Sequence, residues 1–193
     1  MRVIAGKYRS RVLKNLRGLK LRPTSDRLRE TLFNVIGLSI EGARFIDVYA
    51  GTGAVGIEAL SRGAAEVIFI EKHATAANLI RQNLDSLGIT SGATLLAVDA
   101  LRGLEMLQAW RQSEPGDAAE IMFLDPPYAE AKEYESVLRF LGTAGLRAKD
   151  GRVIVEHRRN SNLPETVGNL HRIRLLRQGD ATLSFYLWNS GVD

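Results

Sequence analysis

FIDVYAGTGAVGIEAL, residues 45–60, is an apolar strand that enters a glycine turn and leaves it as a helix. The apolar positions of its helical half suit packing on a sheet. Gly51, Gly53 and Gly56 match the spacing G-x-G-x-x-G, the fingerprint of dinucleotide-binding proteins, which methyltransferases share. In either class the glycines let the backbone approach an adenosine-containing ligand closely. The alternative interpretation is a tight strand-to-helix turn without a ligand.

An acidic residue closes the next apolar strand, VIFIE at residues 67–71. In open α/β sheets a carboxylate at this position can hold the ribose hydroxyls of a bound nucleoside. Glu71 is therefore a candidate ribose ligand. A solvated carboxylate at a strand end is the alternative.

Strand-like and helix-like segments alternate from Arg44 onward, which is typical of a parallel sheet covered by helices. A hairpin signal at Gln178-Gly179-Asp180 adds an antiparallel strand near the C-terminus. Ser25 is a candidate N-cap for an earlier helix that stops at Gly37. We expect strands near residues 44–49, 66–71, 93–98, 120–125, 151–156, 170–177 and 181–188, and helices near residues 54–62, 73–87, 100–112 and 130–142.

A second motif, IMFLDPPY at residues 121–128, ends another apolar strand. Its chemistry suits methylation of an amino group on a nucleobase, whose lone pair is delocalised into the ring and must be localised before it attacks a methyl donor. The Asp125 carboxylate and the Pro126 carbonyl can accept hydrogen bonds from the two N–H groups, since prolines supply no competing donor. Pro127 fixes the backbone, and Tyr128 offers a ring face on which the base can stack. An ordinary turn is the alternative.

Basic side chains are concentrated at the N-terminus. Residues 1–29 carry ten lysines and arginines against one acid, Asp26, a balance of +9 in a chain whose net charge is +4. A basic segment on an acidic body indicates nucleic-acid binding, because phosphate neutralisation drives that binding. A solubilising tail is the alternative, and Tyr8 either stacks on a base or packs on the body. The candidate contacts are Lys7, Tyr8, Arg9, Arg11, Arg22 and Arg27, and residues 2–5 and 11–16 read as two short strands.

The composition excludes several kinds of chemistry. With no cysteine in the chain, disulfides, thiolate metal sites and the cysteine-adduct route to pyrimidine carbon-5 methylation are excluded. No apolar run approaches the ~20 residues of a membrane span, and the first residues lack a signal-peptide core, so we expect a cytoplasmic protein. His73, His157 and His171 lack metal-ligand spacing, and no metal is predicted. Glu156-His157, at a strand end, is a candidate substrate contact.

Together, these segments resemble the bacterial small-subunit (16S) ribosomal RNA guanine-N2 methyltransferases, which are Rossmann-like enzymes that use S-adenosylmethionine. The resemblance covers nearly the whole chain, with the motifs in the same order. Departures are mild: Tyr49 replaces Phe and Thr52 replaces Ser. The matching segments are IAGKYR at residues 4–9, RPTSDRLRETLFN at residues 22–34, the run from AGTG at residues 50–53 to EALSRGA at residues 58–64, and DPPY at residues 125–128.

The resemblance implies a Rossmann-like methyltransferase domain at residues 25–193, with a mostly parallel seven-stranded sheet and a C-terminal antiparallel hairpin, behind a basic RNA-binding extension at residues 1–24. It also implies that S-adenosylmethionine lies across the carboxyl ends of the strands. The implied cofactor-binding residues are Thr24, Asp47, Tyr49, Ala50, Gly51, Thr52 and Gly53 towards the methionine end, Glu71 and Lys72 towards the ribose, and Asp99 and Ala100 beside the adenine. For Asp99 the alternative is a helix cap, and for residues 22–24 a rigid entry to the helix.

The implied reaction is direct in-line methyl transfer to the N2 amine of a guanine, without a covalent enzyme intermediate or a metal, in which Asp125-Pro126-Pro127-Tyr128 polarises the amine. The expected partner is ribosomal RNA or a small-subunit assembly intermediate, and we expect a monomer. Three alternatives stay open. They are an adenine-N6 or other amino-directed nucleic-acid methyltransferase, a nicotinamide-dependent oxidoreductase with the same glycine fingerprint, and an RNA-binding module with an inactive catalytic domain.

Overall fold

Strands and helices alternate from Arg44 onward, as the sequence predicts. The structure is a computed structural model and describes residues 1–15, 25–113, 120–127, 131–143 and 151–189. The helices are α1 (Asp26–Ile36), a short 3-10 helix (Gly37–Ile40), α2 (Ala54–Ser61), α3 (Ala74–Ser86), α4 (Ala100–Ser113) and α5 (Ala131–Thr143). The strands are β1 (Arg44–Val48), β2 (Glu66–Ile70), β3 (Ala93–Leu96), β4 (Glu120–Leu124), β5 (Arg152–Arg158), β6 (Thr166–Val167), β7 (Leu170–Gln178) and β8 (Ala181–Trp188). Within these ranges, no helix combines the length and apolar character needed to cross a membrane.

All the strands join one sheet in the order β3-β2-β1-β4-β5-β8-β7-β6. Neighbouring strands are parallel in the part of the sheet formed by β3, β2, β1, β4 and β5. The pairs β5–β8, β8–β7 and β7–β6 are antiparallel. The central strands read as continuous apolar runs because helices cover both of their faces; all five residues of β4 are buried. The predicted Rossmann-like fold with its C-terminal antiparallel hairpin is confirmed.

Two details of the prediction are wrong. The sheet has an eighth strand, Thr166–Val167, which is too short to show any periodicity in the sequence. Within the described residues, the strand-like pieces predicted at residues 2–5 and 11–16 pair only at one end, where the Val3 and Leu13 amides donate to the Arg11 and Met1 carbonyls around a single bridge between Arg2 and Val12. The physical reason is that the amides of Ile4 and Ala5 donate to a side chain of α2 instead of a neighbouring strand.

Two apolar layers lie on opposite faces of the sheet. Alternate residues of β1 separate into them, with Phe45 in the layer under α1, α2 and α3 and Ile46 in the layer under α4 and α5. Phe33 of α1 packs on Phe45 with ring centroids 5.9 Å apart. Burying one such ring stabilises the fold by roughly 1.5–3 kcal/mol. The two layers fix the strand ends that carry the predicted site.

The first helix begins and ends where the sequence predicts. The Ser25 hydroxyl accepts a hydrogen bond from the Leu28 amide at 3.2 Å, which satisfies one of the free N–H groups of the first turn. Gly37 follows the last helical residue with φ +59°, a conformation that glycine adopts without strain.

Candidate active site

The carboxyl ends of β1, β2 and β4 meet at one edge of the sheet. The last residues of these three strands are paired with one another, so the residues that follow, Tyr49, Glu71 and Asp125, lie at the same edge. The strand order also reverses here, since β2 and β3 lie on one side of β1 and β4 lies on the other. In open α/β sheets this switch point is where ligands bind.

The glycine turn after β1 needs its glycines for two different reasons. Gly51 has φ +55°, and a Cβ built there would meet only the Tyr49 carbonyl oxygen, at 3.9 Å, so the turn presents open backbone. Gly53 has φ +77°, and a Cβ built there would lie 3.1 Å from the Cγ1 atom of Ile80. A Cβ on Gly56 would overlap the Phe69 ring, so this glycine lets α2 pack directly on β2.

Glu71 is buried at the end of β2, with 7% of its surface exposed. One carboxylate oxygen accepts the Gly51 amide at 2.8 Å and the other accepts the His73 amide at 2.7 Å. The solvated strand-end alternative is therefore wrong. Because each oxygen keeps a further lone pair, the carboxylate can hold the glycine turn and still accept hydroxyl groups.

Asp47 lies beneath the same turn and is 2% exposed. Its carboxylate accepts the Gly56 amide at 2.8 Å, at the positive N-terminal end of α2. Burial raises the pKa of Asp47 to about 7, and the charge of Glu71 adds to this effect, while the Gly56 hydrogen bond opposes it. Asp47 thus fastens β1 to α2.

The Asp125-Pro126-Pro127 segment continues directly from β4. Asp125 is half-buried, Pro126 is buried and Pro127 is exposed; Tyr128 lies outside the described residues. The Tyr134 hydroxyl, from the first turns of α5, is 3.2 Å from the Pro126 carbonyl oxygen and 3.2 Å from that of Glu156. A carbonyl has two lone pairs, so the Pro126 oxygen can accept Tyr134 and one further donor.

Two residues of α5 that the sequence analysis missed fasten this edge together. Glu133 accepts a hydrogen bond from the Tyr49 hydroxyl at 2.7 Å, across from β1. Tyr49 itself has φ +69°, an uncommon conformation for a bulky residue and one that clusters at functional sites. Burial raises the pKa of Tyr134, and the carboxylates of Asp125 and Glu156 add to it, so the hydroxyl stays a donor.

The remaining cofactor candidates lie around this edge. The Asp99 carboxylate accepts a hydrogen bond from the Arg102 amide at 3.0 Å. The Asp99 side chain therefore caps α4, as the alternative interpretation has it. Ala50, Thr52 and Ala100 are buried and Lys72 is exposed. The Thr52 carbonyl accepts a hydrogen bond from Asn83 of α3. Thr24 lies outside the described residues.

Comparison with known proteins identifies the family. The model of a family described as "Conserved hypothetical protein 95" matches residues 1–187. This chain belongs to that family. Relatives include the Bacillus subtilis protein named "Putative rRNA methyltransferase YlbH", which is 38% identical over 96% of this chain and 98% of its own length. The Escherichia coli "Ribosomal RNA small subunit methyltransferase D" is 33% identical over 92% of this chain and 86% of its own.

A solved structure of a similar sequence has the same fold. The Escherichia coli protein described as "Putative methyltransferase yhhF" superposes with a TM-score of 0.79 at 32% identity and covers 97% of both chains. The resemblance to small-subunit ribosomal RNA methyltransferases that the motifs indicate is therefore confirmed.

The N-terminal segment of this family member, residues 1–15, is fixed to the body. Val3 and Leu13 are buried in the apolar layer with α1 and α2. The two oxygens of the fully buried Glu58 accept the Ile4 amide at 2.8 Å and the Ala5 amide at 3.0 Å. A Cβ on Gly6 would overlap the backbone of α2 at Ser61. A loose solubilising tail does not fit these contacts, and the domain boundary predicted at residue 24 stays a prediction.

Among the described residues of 1–29, most basic side chains nevertheless face outward. Lys7, Arg9, Arg11 and Arg27 are exposed, whereas Tyr8 is half-buried and packs against the apolar layer. Arg22 lies outside the described residues. Arg29 is the exception: it is fully buried, donates to Asp26 and to the Arg2 carbonyl, and lies 3.8 Å from Glu58. It cannot contact RNA.

His157 lies in structural surroundings. His157 is 2% exposed, and its ring nitrogens lie 2.8 Å from the Ser184 hydroxyl and 2.9 Å from the Arg158 carbonyl. Burial lowers its pKa. The idea that its side chain contacts substrate is not supported, because the ring is enclosed between β5 and β8. Within the described ranges, no group of three or more His, Cys, Asp or Glu side chains could hold a metal ion.

Proposed function

We propose that this protein transfers a methyl group from S-adenosylmethionine to the exocyclic N2 amine of a guanine in small-subunit ribosomal RNA. As a member of its family it is an S-adenosylmethionine-dependent ribosomal RNA methyltransferase; the proposal concerns the target atom and the residues that act on it. The proposal depends on one observation. The Asp125 carboxylate and the Pro126 carbonyl lie at the same sheet edge as the open glycine turn.

The residues around the glycine turn fit the cofactor. Gly51 leaves open backbone where a side chain would otherwise stand, and Glu71 offers buried carboxylate oxygens beside it. We assign the ribose hydroxyls to Glu71, the methionine end to residues 49–53 and the adenine to the region of Asp99. When bound, the cofactor would supply a methyl group on a positively charged sulfur. The amine would attack the methyl carbon as the S–C bond breaks, and S-adenosylhomocysteine would leave.

The acceptors at the end of β4 suit an aromatic amine. An exocyclic N–H₂ group that donates to both Asp125 and the Pro126 carbonyl is held with its lone pair directed out of the ring plane. The two acceptors also favour the positive charge that develops on nitrogen as the new N–C bond forms. Asp125 need not remove a proton first, since the methylated amine can release one to water.

Tyr134 is a positioning residue in this scheme. Its hydroxyl proton can donate to only one acceptor at a time, and both the Pro126 and the Glu156 carbonyls are 3.2 Å away. By bridging the ends of β4 and β5 it fixes the direction of the Pro126 carbonyl.

The RNA substrate accounts for the outward-facing basic side chains. Lys7, Arg9 and Arg11 are exposed on a segment whose backbone is anchored to α2. Such side chains bind phosphates without ordering a loose tail, which lowers the entropic cost of binding. Relatives of this chain are named for small-subunit ribosomal RNA, which supports the same substrate class.

Product analysis tests the proposal. Purified protein and isotope-labelled S-adenosylmethionine are incubated with unmodified small-subunit ribosomal RNA, free or in particles from a strain that lacks the enzyme. Nucleoside mass spectrometry should find the label in N2-methylguanosine. Label in N6-methyladenosine would show that the methylated base is adenine and not guanine. Tight binding of NAD in place of S-adenosylmethionine, measured by calorimetry, would reject the class of reaction.

A further inference from the structure

Three exposed arginines lie far from the basic N-terminal segment in the sequence. Arg158 ends β5, Arg159 follows it, and Arg177 precedes the turn that joins β7 to β8. The sheet nevertheless brings all three to the edge that carries the proposed active site.

The strand register shows this placement. β4 and β5 are parallel neighbours, and Leu124 is opposite Val155. Asp125 follows Leu124 directly, and Arg158 and Arg159 come three and four residues after Val155. The end of β5 therefore extends beyond Asp125, on the side away from the glycine turn.

The β7–β8 hairpin returns to the same edge. Ala181, the first residue of β8, is opposite Arg158, and Arg177 pairs with the next residue of β8. The Arg159 amide donates to the Asp180 carbonyl at 2.8 Å, which closes the end of β5 onto the hairpin turn. Gln178 reaches the Arg27 carbonyl with a long 3.5 Å contact, so the start of α1 lies beside the hairpin.

Beyond the end of β5, the exposed charge is mainly positive, from Arg158, Arg159 and Arg177. Arg158 comes two residues after Glu156 on β5, and the Glu156 carbonyl accepts a hydrogen bond from the Tyr134 hydroxyl, which is also 3.2 Å from the Pro126 carbonyl. The acids nearby are Asp125 and Glu133 at the proposed site, the exposed Asp180 and the buried Glu156. Beside Arg27, the Asp26 carboxylate is paired with the buried Arg29.

We propose that Arg27, Arg158, Arg159 and Arg177 form an arginine rim that binds the phosphate backbone of the RNA next to the target base. This inference rests on the proposed function. Exposed guanidinium groups spread over three chain segments suit a polyanion better than a single phosphate ion, which would need a concave, buried site.

Two substitutions that leave the catalytic segment untouched test the rim. Arg159→Gln with Arg177→Gln should raise the Kd for unmodified small-subunit ribosomal RNA about tenfold and reduce the slope of log K against log salt by roughly 0.7–0.9 for each phosphate that is no longer neutralised. S-adenosylmethionine affinity and the transfer rate at saturating RNA should not change. The Arg159 backbone amide that bonds Asp180 is kept, so folding should be preserved, as circular dichroism would check.

The matched control is Arg81→Gln with Arg139→Gln, which removes the same charge from exposed positions on α3 and α5. The lysine pair, Arg159→Lys with Arg177→Lys, should keep most of the salt slope, because phosphate contacts mainly require the charge. A salt slope in the rim variant equal to that of the control would overturn the inference while leaving the proposed function in place. Wild-type protein that neither binds nor methylates the RNA would reject the proposed function itself.

Discussion

The glycine turn and the N-terminal segment are held by the same device, a buried glutamate that accepts two backbone amides. Glu71 accepts Gly51 and His73, and Glu58 accepts Ile4 and Ala5. The difference lies in distance along the chain. Glu71 is 20 residues from Gly51, inside a recognisable motif, whereas Glu58 is 54 residues from Ile4.

This difference separates two tasks. In the proposed function, the glycine turn presents open backbone to the cofactor and the N-terminal segment presents charge to the RNA. Asn83 connects the two regions, since its amide group bonds Lys14 and also donates to the Thr52 carbonyl. Because the two regions otherwise rest on different glutamates, damage on one side should leave the other ligand largely unaffected.

The largest effect should come from Gly53→Val. A β-branched residue at φ +77° is strained, and Ile80 leaves little room for it. We expect S-adenosylmethionine to bind more than about 100-fold more weakly, from strain of a few kcal/mol in the bound turn. RNA affinity should stay normal. Calorimetry with the cofactor, and circular dichroism as a folding control, check this; normal cofactor affinity in a folded variant would mean that the turn has been misinterpreted.

Most of the fold can be predicted from the sequence, because long apolar runs and the glycine turn are local signals. The limits of β1, β2 and β4 agree with prediction to within one residue. Thr166–Val167 is missed because pairing with β7, and not its own pattern, makes it a strand.

A site residue can be predicted from the sequence only where an apolar run or the glycine turn marks its position. Asp125 and Glu71 stand at strand ends and are found. Tyr134 lies on the apolar face of α5 with Val137 and Leu138, so it reads as a core residue, and nothing local shows that its hydroxyl reaches Pro126. Likewise, nothing in the basic N-terminal composition shows that Arg29 is buried.

A matched pair of substitutions should separate the two tasks. In Glu71→Gln and Glu58→Gln, one accepting oxygen becomes an amide nitrogen, which leaves a backbone N–H without a partner at a cost of about 1–3 kcal/mol. Glu71→Gln should weaken cofactor binding, and Glu58→Gln should weaken RNA binding. Thermal stability should fall further in Glu58→Gln, because Arg29 is buried beside it. Equal effects of both variants on both ligands, in paired titrations, would show that the regions are not independent.

A smaller effect is expected when the exposed charges of the N-terminal segment are removed. Lys7→Gln, Arg9→Gln and Arg11→Gln together should flatten the salt dependence of RNA binding by roughly 0.7–0.9 for each phosphate that these side chains neutralise. The melting temperature should change little, because the backbone of this segment makes its hydrogen bonds to α2, and the variant loses only one exposed side-chain bond, from Arg11 to the Ser86 carbonyl. A lower melting temperature with an unchanged salt slope would assign these side chains to anchoring.

A further effect, on folding and not on RNA binding, is a pH dependence of stability from Asp47. Its pKa is about 7 in the folded protein and about 4 when unfolded, so the folded state binds more protons between these values. Its contribution to stability is full below about pH 4 and is lost as the pH rises through 7. Asp47→Asn should remove this part of the slope and keep an oxygen acceptor for Gly56. Urea unfolding at several pH values between 4 and 8 compares the two proteins; identical slopes would contradict the assignment.

The most direct test of the account is the single-turnover rate of methyl transfer with both RNA and S-adenosylmethionine saturating. Asp125→Ala should lower that rate about 100-fold, the typical effect of removing one preorganised hydrogen-bonding group, with unchanged affinities for both ligands. Asp125→Asn should keep part of the rate, since its amide oxygen still accepts one hydrogen bond. A wild-type rate in Asp125→Ala would contradict the claim that this carboxylate acts on the amine.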